Sequence, residues 1–255
     1  MKNLKALLKL DMELIKPYWR WLLMFFGISI LTSVFMGGGI AFILNLFVFG
    51  ATILAFPFEN VEKGNMETLY AVLPTNRKSM IFARYIFAVI FMLIVAAIAV
   101  GVGALIDFIY MQIPNYVQNP VYPYYPEYIR IPRLMELDMY ANMLFTMLAL
   151  GFAMYMITFS VQTPFFYKYG YKKGRIFMWI PIIVIMLVSL VPSIVSMVDG
   201  PNINLFNMML GVNANTPELA QQARLITTLV SLGAGILFPI GSFFLSRKMY
   251  LRKDI

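Results

Sequence analysis

Apolar runs of membrane-crossing length, parted by short polar stretches, set the pattern of this chain. Residues 2–16 come first and read differently. Leu4, Leu8, Met12 and Ile15 fall on one helical stripe, while Lys2, Lys5, Lys9, Asp11, Glu13 and Lys16 lie elsewhere. That spacing predicts an interfacial helix over residues 1–17, lying in the plane of a bilayer surface. Pro17 breaks or kinks it, and Tyr18, Trp19 and Trp21 follow where aromatic side chains mark the headgroup level. Apolar runs then occupy about 19–36, 40–58, 79–109, 140–166, 176–198 and 223–245, each long enough for a spanning helix, which needs roughly 17–25 residues. The expected fold is an all-α polytopic membrane protein, a single transmembrane domain over 1–255 with six spans.

The stretches between the runs differ in kind. Gly37, Gly38 and Gly39 allow a tight turn between the first two spans. Residues 112–138 carry Pro114, Pro120, Pro123, Pro126 and Pro132, which forbid a continuous helix and predict an irregular external loop. Within 199–222, the apolar stretch 205–210 is too short to cross and predicts a short external or re-entrant helix. Residues 59–78 are the most charged internal segment. Read as a helix from about Asn60 to Leu73, they place Met66, Leu69, Tyr70 and Leu73 on one stripe, with Glu59, Glu62, Lys63 and Glu67 mostly off it. Pro74 ends that helix, and Thr75 or Asn76 caps the next, which runs through Arg77, Lys78 and Arg84 into the third span. An amphipathic helix between two spans rests on the bilayer or docks a soluble partner; a solvated loop helix fits the same pattern.

Composition agrees with the pattern: 61% of the residues are hydrophobic and 13% charged, against roughly a quarter charged in soluble domains. The net charge of +8 would raise the question of nucleic acid. Its placement answers that question. Six spans put both termini on one side, and the Lys and Arg residues of 2–20, 63–84, 168–175 and 247–253 all fall there, with Arg130, Arg133 and Arg224 opposite. The positive-inside rule then predicts cytoplasmic termini and a cytoplasmic 59–78 segment, with no nucleic-acid role. The N-terminal residues do not read as a cleavable signal peptide.

Little supports catalysis. His and Cys are absent, which removes the commonest general base, the thiol nucleophile and most metal ligands. The stretch 170–175 lacks the spacing and the Ser or Thr of a phosphate-binding G-x-x-x-x-G-K-[ST] loop. Asp107, near the far end of the third span, is the one acidic residue within a span, and a helix-paired or solvated carboxyl is its simplest reading. Ser29, Ser189, Ser193 and Ser196 have no base beside them in sequence. Asn45, Thr158 and Gln162, with Ser160, are candidates for lining a cargo path, and interhelical hydrogen bonding is their plainer use. Phe25, Phe26, Phe35, Met143, Met147, Met154 and Met156 suit either a surface adaptable to apolar cargo or ordinary packing.

This layout, with Glu62-Lys63-Gly64 followed by Leu69-Tyr70-Ala71-Val72-Leu73-Pro74-Thr75-Asn76-Arg77-Lys78 at the entry to the third span, resembles the permease subunits of ABC-2 type ABC exporters. The topology matches over nearly the whole chain, and the sequence signature covers these roughly twenty residues. The resemblance implies that 59–73 is a coupling helix seated in a separate ABC ATPase subunit, which carries the ATP and Mg²⁺. It further implies that the N-terminal helix and 167–175 are additional contacts, and that a second permease subunit, identical or homologous, completes the unit in the cytoplasmic membrane. Some small relatives of this type look like exporters of antimicrobial or cytolytic amphipathic peptides, phenol-soluble modulins among them. The competing class is a self-contained membrane protein: an assembly or sensor partner, or a secondary transporter without an ATPase.

Overall fold

The computed structural model describes residues 2–36, 39–64, 77–112, 137–199 and 217–251, and every described element is helical. In chain order these are α1 (Lys2–Ile15), a 3-10 turn (Lys16–Tyr18), α2 (Trp19–Met36), α3 (Gly39–Ile53), α4 (Phe56–Lys63), α5 (Arg77–Gln112), α6 (Leu137–Asp199) and α7 (Pro217–Leu251). Among the described residues five stretches are long and apolar enough to cross a membrane: Leu4–Ser33, Phe42–Lys63, Lys78–Ile109, Ala141–Phe177 and Leu219–Tyr250. The sixth expected span, 176–198, follows the helical backbone at the end of α6, where most side chains lie outside the described ones. The expected loop at 112–138 and the short helix at 205–210 fall, apart from their edges, outside the described residues as well.

Two boundaries differ from the sequence reading. The polar helix expected over about Asn60–Leu73 begins earlier, with α4 running from Phe56 to Lys63, and residues 65–73 lie outside the described ones. Pro57 favours an early start, because a proline in the first turn has no amide to leave unpaired, and Gly64 closes the helix by donating its N–H to the Asn60 carbonyl at 2.9 Å. The second difference lies in 167–175, between the expected fourth and fifth spans, where helix continues on both sides of a one-residue corner. Helix α6 runs unbroken except at Gly170, whose φ of 75° and ψ of 175° are non-helical and suit only glycine. The rings of Phe165 and Phe177 stack across it with centroids 3.9 Å apart and planes at 2°. Twelve residues of straight helix would separate them by about 18 Å, so the distal limb of α6 turns back against the proximal one.

The core lies among α3, α5 and the proximal limb of α6, where Phe47, Ala51, Ala88, Met92, Val95, Tyr155, Met156 and Phe159 are buried. Gly151 is small because the Phe47 ring occupies the space a Cβ would take. The Tyr155 hydroxyl donates to the Ala88 carbonyl at 2.9 Å. A hydroxyl seam joins α6 to α7. Pro164 has no N–H to offer the Ser160 carbonyl one turn earlier, and the Ser242 hydroxyl donates to that carbonyl instead, at 2.7 Å. Ser242 has then spent its only proton, so Tyr85 of α5 donates to Ser242 at 2.6 Å. Farther along, Thr228 donates to Thr146 at 3.2 Å. The outer faces carry exposed Leu23 and Leu31 on α2, Leu93 and Phe108 on α5, and Val230 and Leu237 on α7. Apolar exposure on that scale is what hydrocarbon surroundings accept and water does not.

At one end of the bundle α3 begins under a carboxyl group. The Gly39 N–H donates to Asp107 Oδ1 of α5 at 2.7 Å, in a buried setting. A Cβ on Gly39 would run into the Gly103 carbonyl and Asp107 Oδ2. The acidic residue of the third span is thus paired with a helix N-terminus, where the first amides lack intrahelical acceptors and the helix dipole favours an acidic partner.

Candidate functional site

The other end of the bundle is basic, and there α1, the 3-10 turn, α4, the start of α5, the Gly170 corner and the end of α7 meet. Helix α1 docks on the bundle by a stripe that overlaps only in part with the one expected to face the bilayer. Leu7, Asp11, Leu14 and Ile15 are buried, Leu4 and Leu8 are half-buried, and Met12 is 59% exposed. An acid on the inward face decides this orientation. Asp11 Oδ1 accepts from Arg84 Nη2 of α5 at 2.8 Å, with both side chains nearly buried. The Arg84 guanidinium also lies 4.1 Å from the centroid of the Phe58 ring, so its flat face is covered by an aromatic while its edge meets a carboxylate. Phe58 packs on Phe166 and Tyr167, and Tyr167 on Tyr250 of α7. One ion pair therefore anchors α1 to α5, and the surrounding rings carry the contact to α4, α6 and α7.

Helix α4 is the hub. Its acidic first turn and basic last turn suit the helix dipole, and exposed Lys63 pairs with the half-buried Glu59 at 2.5 Å. Asn60 donates to the Leu14 carbonyl at 2.6 Å, satisfying an acceptor at the C-terminal end of α1, and accepts from the Tyr18 hydroxyl at 3.1 Å. The Tyr18 ring stacks on Phe56 at 4.2 Å. Glu62 Oε2 accepts the Lys172 N–H at 3.0 Å, just past the Gly170 corner.

The cavity among Leu7, Asp11, Phe58, Glu62, Arg84 and Gly170 measures only 60 Å³, room for a few waters and nothing larger. Among the described residues no three His, Cys, Asp or Glu side chains gather as metal ligands. The arrangement is a mechanical joint made of ion pairs, amide bonds and stacked rings.

Of the expected coupling residues, Glu59, Glu62 and Lys63 come together on α4, Lys78 is exposed in the first turn of α5, and Arg77 opens that helix. Met66, Glu67, Leu69, Tyr70 and Leu73 lie outside the described residues. Asn45, Thr158 and Gln162 sit in the bundle. Asn45 donates to Thr32 of α2 at 2.9 Å, Gln162 donates to the Ala51 carbonyl of α3 at 3.0 Å, and Thr158 is buried on α6. Sequence reasoning missed Asp11, Asn60, Arg84 and Gly170 as parts of one joint. A signal was present for Asp11, an acid at helical spacing between Leu7 and Leu14.

A family model described as ABC-2 family transporter protein matches residues 6–121 and 128–251. No curated protein and no solved structure matches the chain.

Proposed function

This chain belongs to the ABC-2 family of transporter proteins, and from that premise we propose that it is the permease subunit of an ATP-driven exporter. It moves an amphipathic or hydrophobic cargo, such as a cytolytic or antimicrobial peptide, outward across the cytoplasmic membrane. Both termini and the basic end of the bundle face the cytoplasm, where the positive-inside rule puts them. A separate ABC ATPase binds ATP and Mg²⁺ and engages the segment 59–78, and a second permease subunit, identical or homologous, completes the working unit.

The observation that carries this reading is the joint itself. Helix α4 leads into residues 65–76 and is tied by Asn60 to α1, by Phe58 to Arg84 of α5, and by Glu62 to α6. A push delivered to 65–76 by ATPase closure reaches the membrane helices through these short, directional contacts as a rigid-body movement. Buried ion pairs and stacked rings transmit displacement because they are close-packed and poorly compressible.

The test is affinity purification of the detergent-solubilised protein from its native cells. An ABC ATPase should accompany it, and Leu69→Asp or Tyr70→Asp should abolish that association and transport while leaving the protein inserted. A protein that purifies alone, or variants that keep ATPase and transport unchanged, would favour the self-contained class.

A further inference from the structure

The proximal and distal limbs of α6 meet at one residue, Gly170, and the torsions there do not fix the direction of the distal limb. Around a positive-φ glycine the backbone has more freedom than at any other residue, so the limb takes its direction from what grips it beyond the corner. The first amides of the distal limb lack intrahelical acceptors. One of them, Lys172 N–H, is taken at 3.0 Å by a carboxylate from another helix, Glu62 of α4. A Cβ on Gly170 would lie 3.1 Å from Glu62 Oε2, so the carboxylate sits against the corner itself. Glu62 is half a turn from Asn60, the residue through which α4 holds both the 3-10 turn and α1.

We propose that Glu62 is a positioning residue that latches the distal limb of α6 to α4 across the Gly170 corner, so that a displacement of α4 is delivered to the fifth span as well as to the second and third. The delivery of motion rests on the transporter reading above; the latch itself does not. Glu62 brings an acceptor to a helix N-terminus, where the dipole favours negative charge. The contact is exposed to solvent, so it opens and re-forms readily.

The chain contains no cysteine, which allows paired spin labels at Met12→Cys on α1 and Lys173→Cys on the distal limb, both exposed positions. The labelled protein is placed in nanodiscs with its co-purified ATPase and measured without nucleotide and with Mg²⁺, ATP and vanadate. Hydrogen exchange across 171–175 is followed in parallel. The wild type should give one narrow distance distribution that shifts with nucleotide. Glu62→Ala should broaden it about twofold, raise exchange at Lys172 about twofold, as loss of one charge-assisted bond partly screened by water predicts, and leave the distal limb unresponsive to nucleotide. Glu62→Gln keeps an acceptor oxygen and should restore the narrow distribution and the nucleotide response, which a general loss of folding would not permit. Wild-type width, exchange and response in Glu62→Ala would overturn the proposal. A preparation that yields no ATPase overturns the transporter reading, and the nucleotide-free width and exchange then still decide the latch.

Discussion

Asp107 and Glu62 act alike at opposite ends of the bundle: each reaches from one helix to an N-terminal amide of another. Asp107 meets Gly39 at 2.7 Å in a buried site, pressed between two backbones with no room for a Cβ. Glu62 meets Lys172 at 3.0 Å in an exposed site, beside a glycine held in a conformation other residues avoid. The chemistry is the same and the surroundings differ. A buried amide that loses its acceptor has no water to turn to and bears the full desolvation penalty, while an exposed one exchanges its partner for solvent. The buried cap thus fixes where α3 starts, and the exposed one is suited to open and close.

If burial rather than position in the bundle makes the difference, the basic end must also contain expensive contacts. Asp11 and Arg84 supply the check. Arg84→Ala strands the Asp11 carboxylate among Leu7, Phe58 and Tyr167, and should cost about 3–5 kcal/mol, measured by reversible unfolding in mixed micelles. The paired replacement of Asp11→Leu with Arg84→Met should recover most of the loss, since no unpaired charge remains. A cost below about 1 kcal/mol for Arg84→Ala, the range of exposed pairs, would break the contrast.

Asp107→Ala comes next. It leaves the Gly39 amide and the first turn of α3 without their acceptor and should cost about 2–3 kcal/mol, as buried bonds to charged groups do. Asp107→Asn keeps an oxygen in place and should lose about half as much or less. Equal losses for the two variants would mean that the carboxyl serves through charge rather than as an acceptor.

Much of this was legible beforehand, and the part that was not has a physical cause. The helical class, the five described stretches long enough to cross a membrane and the concentration of basic residues at one end follow from run length and charge, which are properties of the chain read in one dimension. The plain reading of Asn45 and Gln162 as interhelical hydrogen-bonders agrees with their bonds to Thr32 and Ala51. The side of α1 that packs on the bundle is not visible in local pattern, because its apolar positions make two overlapping stripes and only Arg84, 73 residues away, selects the one containing Asp11 for the inward face. Gly170 lies in a sequence rich in Tyr, Lys and Gly that reads as a loop. Its role as a one-residue corner depends on Phe165 finding Phe177 and on Glu62 arriving from α4, and neither is visible in local pattern.

The smallest expected effect is the most diagnostic. In the same unfolding assay Glu62→Ala should lower stability by no more than about 0.5 kcal/mol, because a solvent-exposed charged contact is screened and its freed amide is hydrated. The loss should shrink further in high salt, where surface electrostatics fade within a few ångströms, while the Asp107→Ala loss stays nearly constant. Unfolding at low and high ionic strength therefore separates the two caps. A Glu62→Ala loss of several kcal/mol that ignored salt would place Glu62 in the same class as Asp107, a fixed structural cap, and would remove the basis for its opening and closing.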